Sequence, residues 1–230
     1  MHTESLQQNV TWTGVSAGGN LAAAVSLKLR DIGNFWHPAV QVLIMPCLQA
    51  LDFRTPSYQR NADNAYLSSH SAASYWMWYA RGMDGHKFAH LVVENRHISS
   101  SAKISEISRH VDHNLIPRRY ISENYMPDAL KNGNEELWNE LQPVLVDPYF
   151  APLMATKLDG LPVTYIATAE YDVLRDDGIL YARSISAAGV EVEYKHYEHA
   201  YHDLFRNYKH NRQSKRCLDD LLAFLLRRLL

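Results

Sequence analysis

Long apolar runs are missing from this 230-residue sequence. No stretch approaches the roughly 20 residues that a bilayer-spanning helix needs. The first residues, MHTESLQQNV, also lack a basic segment followed by an apolar one, which is the pattern of a signal peptide. The sequence therefore predicts neither a signal peptide at its start nor a membrane-spanning helix.

An excess of either charge is missing too, and cysteine is rare. The chain has 23 Lys and Arg against 25 Asp and Glu, so its formal net charge is -2 and we expect no nucleic-acid partner. The only cysteines are Cys47 and Cys217, which either pair with each other or, in the favoured interpretation, are free buried thiols. The twelve histidines are spread along the chain without a Cys-x-x-Cys partner, so we expect no metal and no other cofactor.

Apolar segments of two kinds alternate along the chain, which is 47% hydrophobic and 21% charged. Runs typical of strands alternate with runs that have helical spacing, and this order predicts an α/β fold with a mostly parallel sheet. The predicted strands are 10–15, 39–46, 161–170 and 190–199; the predicted helices are 17–30, 176–189 and an amphipathic closing helix over 217–230.

The segment 52–145 interrupts this alternation with stretches that are typical of helices and loops. A helical insertion between two strands predicts a lid or cap. It contains an aromatic cluster formed by Tyr75, Trp76, Trp78 and Tyr79. These side chains either pack the helix into the core, which is the favoured interpretation, or line a pocket for an apolar ligand.

A serine stands between two glycines in Gly14-Val15-Ser16-Ala17-Gly18. The pattern G-x-S-x-G, placed after a strand and before a helix, is typical of a nucleophile elbow, whose flanking residues must be small because strand and helix come close. Ser16 is then the candidate nucleophile, and the backbone N–H of Ala17 is the candidate oxyanion donor. The alternative is a close-packed turn without catalytic function. The glycine spacing does not match the G-x-G-x-x-G of a dinucleotide-binding turn.

A serine nucleophile needs a base, and the base needs an orienting acid, in the chain order Ser, Asp, His for this kind of fold. Asp172 follows the predicted strand 161–170, whereas Asp176 and Asp177 are typical of the first turn of a helix. His202 follows the last predicted strand, whereas His196 lies within it. Asp172 and His202 are therefore the candidate acid and base.

These stretches resemble the arylacetamide deacetylase family, in the hormone-sensitive lipase group of α/β hydrolases. The resemblance rests on GVSAGGNLAAAV, PCLQALDFRTPSYQ, GLPVTYIATAEYDVLRDDG and YEHAYHDLF. It implies a serine esterase or deacetylase with Ser16, Asp172 and His202 as its triad, forming an acyl-enzyme on apolar acyl esters or arylacetamides. It further implies the luminal side of the endoplasmic reticulum membrane, reached only through an N-terminal anchor that this sequence lacks.

The chain departs from the family pattern at several points. Val15 replaces the family's Asp, Ala200 replaces a Gly, and Asp203 adds a carboxylate beside His202 that is expected to raise its pKa. The family's H-G-G loop, which supplies oxyanion donors, is absent before Ser16. We therefore expect residues 1–230 to form one partial α/β-hydrolase domain lacking its N-terminal strands. The alternative function is that of a weakly active or non-catalytic fragment that binds ligands or has no function.

Overall fold

Four parallel strands form the centre of the protein. The computed structural model describes residues 10–33, 38–127, 133–206 and 208–230. The strands lie in the order β1 (Thr11–Val15), β2 (Val40–Ile44), β3 (Val163–Tyr171) and β4 (Val192–Tyr201). Each strand pairs in parallel with the next one along the chain. The predicted α/β fold with a parallel sheet is confirmed.

Helices cover both faces of this sheet. Helix α1 (Ala17–Asp31) follows β1, helix α6 (Arg175–Ala187) follows β3, and their apolar residues share one core cluster. Helix α7 (Arg212–Leu229) packs on the other face, where Cys217 and Phe224 join the alternate side chains of β2 and β3. Every residue of β2 is buried, as expected for a strand covered on both faces.

The ends of two helices refine the sequence prediction. Helix α7 begins at Arg212 rather than at residue 217, because the side chain of Asn211 accepts hydrogen bonds from the amides of Gln213 and Ser214 and caps the helix. Helix α6 ends just before Gly189, which has φ +86° and can take this left-handed conformation without strain. None of the helices in the described residues is long and apolar enough to cross a membrane.

A long helical connection joins β2 to β3. It contains α2 (Pro56–Arg60), α3 (Ser69–Arg81), α4 (Ala89–Val93) and α5 (Glu135–Leu145), and six 3-10 helices lie at Met83–Phe88, Ala102–Ile104, Glu106–Val111, His113–Leu115, Arg118–Tyr120 and Pro152–Met154. The described part of the predicted insertion 52–145 has no strand, and its residues 128–132 lie outside the described residues. Its buried side chains join the core on the α1 and α6 side. Its action as a lid stays a prediction.

The topology brings three loops to one edge of the sheet. Ser16 follows β1, Asp172 follows β3 and His202 follows β4. The carboxyl ends of parallel strands meet at the same edge, and ligand sites of open α/β sheets form there. In the part of the chain that the structure describes, β1 is the outer strand on its side and has no further strand beside it.

Candidate active site

Ser16 occupies a sharp turn between β1 and α1. Its backbone has φ +56° and ψ -120°, a conformation that residues with a side chain rarely adopt. Its amide donates to the carbonyl of Ile44 over 2.9 Å, which fastens the turn to the end of β2. Strained backbone of this kind persists where the surrounding structure holds it, and it is concentrated at functional sites.

Two glycines make this turn sterically feasible. A Cβ on Gly14 would lie 1.9 Å from the carbonyl oxygen of Gly18, and a Cβ on Gly19 would lie 2.9 Å from the Cβ of Pro46. The expectation that both glycines flanking Ser16 must be small is wrong for Gly18, because a Cβ there meets nothing within 4 Å. The close approach is therefore made by Gly14 and Gly19, the latter against the loop that follows β2.

The structure brings Ser16, His202 and Asp172 into one hydrogen-bonded row. His202 Nε2 lies 3.0 Å from Ser16 Oγ, and His202 Nδ1 lies 2.9 Å from Asp172 Oδ2. The buried carboxylate favours the tautomer in which Nδ1–H donates to Asp172, which leaves Nε2 to accept the hydroxyl proton. The other carboxylate oxygen of Asp172 accepts from the amide of Leu174 over 3.0 Å.

Two opposing effects act on the imidazole of His202. Burial alone would lower its pKa, but the charge of Asp172 and the hydrogen bond to it outweigh burial, so the pKa of His202 lies above its ordinary value. Asp203 adds a smaller effect in the same direction, as the sequence predicted. The protonated imidazole is therefore stabilised at this position.

The start of α1 presents backbone donors next to Ser16. The first hydrogen bond of the helix runs from the amide of Asn20 to the carbonyl of Ser16 over 3.1 Å. The amides of Ala17, Gly18 and Gly19 precede it and have no acceptor within the helix. A helix N-terminus also carries partial positive charge, which favours an anion at this end.

A cavity of about 440 Å³ opens beside Ser16 and His202. Helix α3 supplies one wall, since Tyr75, Trp76 and Tyr79 line the cavity whereas Trp78 does not. Trp76 is buried and Tyr79 stacks on Phe150 with 4.5 Å between ring centroids, so the cluster both packs and lines a pocket. The rest of the wall is also largely apolar: Ala17, Leu21, Cys47, Leu67, Ala72 and Leu174.

Sequence reasoning missed the groups that hold the loop after β2. The buried side-chain amide of Asn20 donates to the carbonyls of Cys47 and Phe150, each over 2.9 Å. Asp177 accepts from the amide of Leu48 and from the side chain of Gln49, both over 3.0 Å, and burial raises its pKa to about 8. No sequence spacing signals these contacts, because their partners lie more than 25 residues away.

The remaining candidates lie outside the hydrogen-bonded row. Asp176 and Asp177 occupy the first turn of α6 as predicted, and Asp176 pairs with the buried Arg175 over 2.8 Å. His196 lies within β4 and contacts Thr168 Oγ1 at 3.0 Å. Cys47 and Cys217 are both free, Cys217 buried and Cys47 partly buried at the cavity wall. Within the described ranges, no three His, Cys, Asp or Glu side chains cluster to hold a metal ion.

Comparison with known proteins places the chain in a family. Residues 3–107 and 116–206 match the family described as alpha/beta hydrolase fold. The chain is 40% identical over 194 residues to neutral cholesterol ester hydrolase 1 of Bos taurus, which covers 83% of the chain and 47% of that relative. It is 35% identical over 225 residues to arylacetamide deacetylase of Mus musculus, covering 94% of the chain and 54% of that relative.

Solved esterase structures share the fold. A bacterial heroin esterase superposes with a TM-score of 0.61 at 27% identity, covering all of this chain and 55% of that one. A thermostable esterase from Pseudomonas putida gives a TM-score of 0.62 at 25% identity, with coverage of 100% and 55%. The chain spans about half the length of the curated relatives it matches. It belongs to the α/β hydrolase family, and it is similar to neutral cholesterol ester hydrolase 1 and arylacetamide deacetylase.

Proposed function

We propose that this chain hydrolyses esters by nucleophilic catalysis at Ser16. The observation that carries the proposal is the position of the His202 imidazole, which bridges Ser16 Oγ at 3.0 Å and the buried Asp172 carboxylate at 2.9 Å. A serine hydroxyl is a weak nucleophile at neutral pH and needs such a base. The named relatives are ester hydrolases and deacetylases, which agrees with this chemistry.

The proposed reaction has two halves. Ser16 Oγ attacks the acyl carbonyl while His202 Nε2 takes the hydroxyl proton, and Asp172 stabilises the resulting imidazolium. His202 then gives this proton to the leaving alcohol or amine, and the acyl group stays on Ser16. In the second half, His202 takes a proton from the water that attacks the acyl-enzyme. The bond between the acyl carbon and Ser16 Oγ then breaks, His202 returns the proton to Ser16 Oγ, and the acid leaves.

The backbone N–H of Ala17 is the proposed donor to the oxyanion. Removing one oxyanion donor from a serine hydrolase costs about 10²–10³ in kcat. A single-turnover reaction at Ser16 isolates the first half of the proposed reaction and is therefore the sharper test.

Apolar acyl esters and arylacetamides are the proposed substrates. The cavity beside Ser16 has a largely apolar wall, with three aromatic side chains from α3. Apolar pockets with few polar groups bind ligands of the same character. On the resemblance alone, we also propose action at the luminal face of the endoplasmic reticulum membrane. Recovery of a tagged chain only in the cytosolic fraction of expressing cells would contradict this location.

A non-catalytic binding function is the alternative, favoured by the largely apolar cavity beside Ser16, which can hold a ligand without reacting with it. Labelling of the folded chain with a fluorophosphonate probe separates the two functions. The wild type is expected to be labelled on Ser16, and Ser16→Ala is expected to lose the label. Ser26→Ala is a matched control on α1, because this buried hydroxyl donates to the carbonyl of Ala22 at 3.0 Å within its own helix. Equal labelling of wild type and Ser16→Ala would refute the esterase proposal.

A further inference from the structure

The pairing of β3 with β4 changes register just before the two strands reach the site. Ala169 pairs with Tyr197, but Tyr171 pairs with Tyr201. Between these two pairs β4 advances by four residues while β3 advances by two. Extra residues in one strand form a bulge, which bends the strand and is often found beside active sites, where it redirects a side chain. His202 follows this bulge directly.

His199 is the strained residue of the bulge. Its φ of +58° lies in the left-handed region, which residues other than glycine adopt only when their surroundings hold them there. Its amide donates to Glu170 Oε2 over 2.8 Å. A side chain of β3 therefore holds the backbone of β4 at the point where the regular ladder is interrupted.

Glu170 is itself fixed on its other side. Its second oxygen accepts from Arg60 Nη2 over 3.2 Å, and its side chain is only 15% exposed. The neighbouring Asn61 donates to the carbonyls of Glu170 at 3.3 Å and Asp172 at 3.1 Å. The end of α2 thus orients both Glu170 and the strand end that carries Asp172.

We propose that Glu170 is a positioning residue that holds the β4 bulge so that His202 reaches Asp172 and Ser16. The bond from Glu170 to His199 joins the same two strand ends as the bond from Asp172 to His202, and lies three residues before His202 in β4. Without it, the left-handed backbone at His199 loses the acceptor that faces its amide, and the bulge relaxes. This role rests on the proposed function, because it acts through the proposed base.

Three variants test this role. Glu170→Ala removes the acceptor, Glu170→Gln keeps an oxygen that accepts the His199 amide, and Glu193→Ala removes a carboxylate elsewhere on β4, where it pairs with Arg227 at 2.7 Å. The rate of fluorophosphonate labelling at Ser16 is one measurement. The low-field proton NMR signal of His202 Nδ1–H, which reports its bond to Asp172 without any reaction, is the second.

Glu170→Ala is expected to slow labelling about 10- to 100-fold and to broaden or remove the Nδ1–H signal, since a misplacement of about 1 Å can cost about 10²-fold in rate. Glu170→Gln is expected to keep most of the labelling rate and of the Nδ1–H signal, and Glu193→Ala is expected to change neither measurement. A merely structural role would lower the melting temperature of Glu170→Ala and leave both readouts of its folded fraction unchanged.

The inference would be overturned if Glu170→Ala were labelled at the wild-type rate and kept its Nδ1–H signal. It would also be overturned if Glu170→Gln and Glu170→Ala lost labelling rate and signal to the same extent. If the wild type is not labelled at all, the proposed function fails and the NMR signal alone decides the role of Glu170. Should Glu170→Ala not fold, Glu170→Asp replaces it, because its shorter side chain withdraws the carboxylate from His199. An unchanged signal in that variant would also overturn the inference.

Discussion

Gly14 packs against Gly18 so closely that a Cβ on Gly14 would lie 1.9 Å from the carbonyl oxygen of Gly18. The end of strand β1 and the first turn of helix α1, on either side of Ser16, are thus in backbone contact. This contact forces the chain through the left-handed conformation at Ser16, whose φ is +56°. The turn therefore presents the hydroxyl to His202 rather than folding it into the helix.

Alanine substitutions at Gly14 and Gly18 are expected to change the free energy of unfolding in opposite directions. Gly14→Ala introduces a clash with backbone that cannot move aside, and should lower the free energy of unfolding by about 1–3 kcal/mol. Gly18→Ala places its Cβ in open space and gains helix propensity, so it should raise that free energy by up to about 1 kcal/mol. Chemical denaturation measures both, and a Gly14→Ala variant as stable as the wild type would contradict the packing described.

Asp172→Asn tests the orientation of His202. An amide in place of the carboxylate favours the wrong imidazole tautomer, and in Ser-His-Asp enzymes this change lowers kcat about 10⁴-fold. We expect the labelling rate at Ser16 to fall by about 10³–10⁴ while the fold persists. Asp219→Asn, on the exposed side of α7, is the control, because this carboxylate forms an exposed ion pair with Lys215. A loss below tenfold would argue against a base oriented by Asp172.

The pH dependence of labelling follows from the raised pKa of His202. Only the neutral imidazole accepts the Ser16 proton, so the rate should rise with pH, with a midpoint above the ordinary histidine value of 6.5. Stability should change in the opposite sense. The interaction with Asp172 stabilises the fold fully below the unfolded pKa and is lost as pH rises through the folded pKa.

Asp203→Asn refines this test. The charge of Asp203 contributes to the raised pKa of His202, so removing it should move the midpoint of the rate profile to lower pH. This shift should be smaller than the effect of Asp172 on the same pKa. The measurement is a labelling rate at several pH values for both proteins. A midpoint that moves up, or a wild-type midpoint below 6.5, would contradict the electrostatics of the site.

The aromatic wall of α3 is expected to set a preference for apolar acyl groups. Tyr79 lines the cavity and stacks on Phe150, whereas Trp78 on the same helix lies outside it. Aromatic contacts contribute about 0.5–1.5 kcal/mol beyond area burial. Tyr79→Ala should therefore reduce the rate ratio of a long-chain to an ethyl fluorophosphonate about 3- to 10-fold. Trp78→Ala should leave this ratio unchanged. Equal effects of the two substitutions would contradict the expectation that the cavity-lining aromatic residues of α3 set the acyl preference.

The sequence by itself determined the alternation of strands and helices and the order of Ser16, Asp172 and His202. Both depend on local patterns: the buried strand β2 is apolar except for Gln41, and the glycine motif lies between a strand and a helix. Parallel strands then bring their carboxyl ends together, so the proximity of three distant residues followed from topology alone. The helix boundary at Asn211 was missed because a side-chain cap outweighed the apolar spacing.

Only the tertiary structure decided how these residues are held. The register change in β4, the bond from Glu170 to His199 and the anchoring of the loop after β2 by Asn20 depend on partners far apart in the chain. Hydrophobic periodicity indicates which face of a strand is buried, but it does not locate a bulge and does not show which buried carbonyl a distant amide meets. Position 18 has room for a Cβ whereas position 14 does not, and this difference likewise follows from how α1 lies across the sheet.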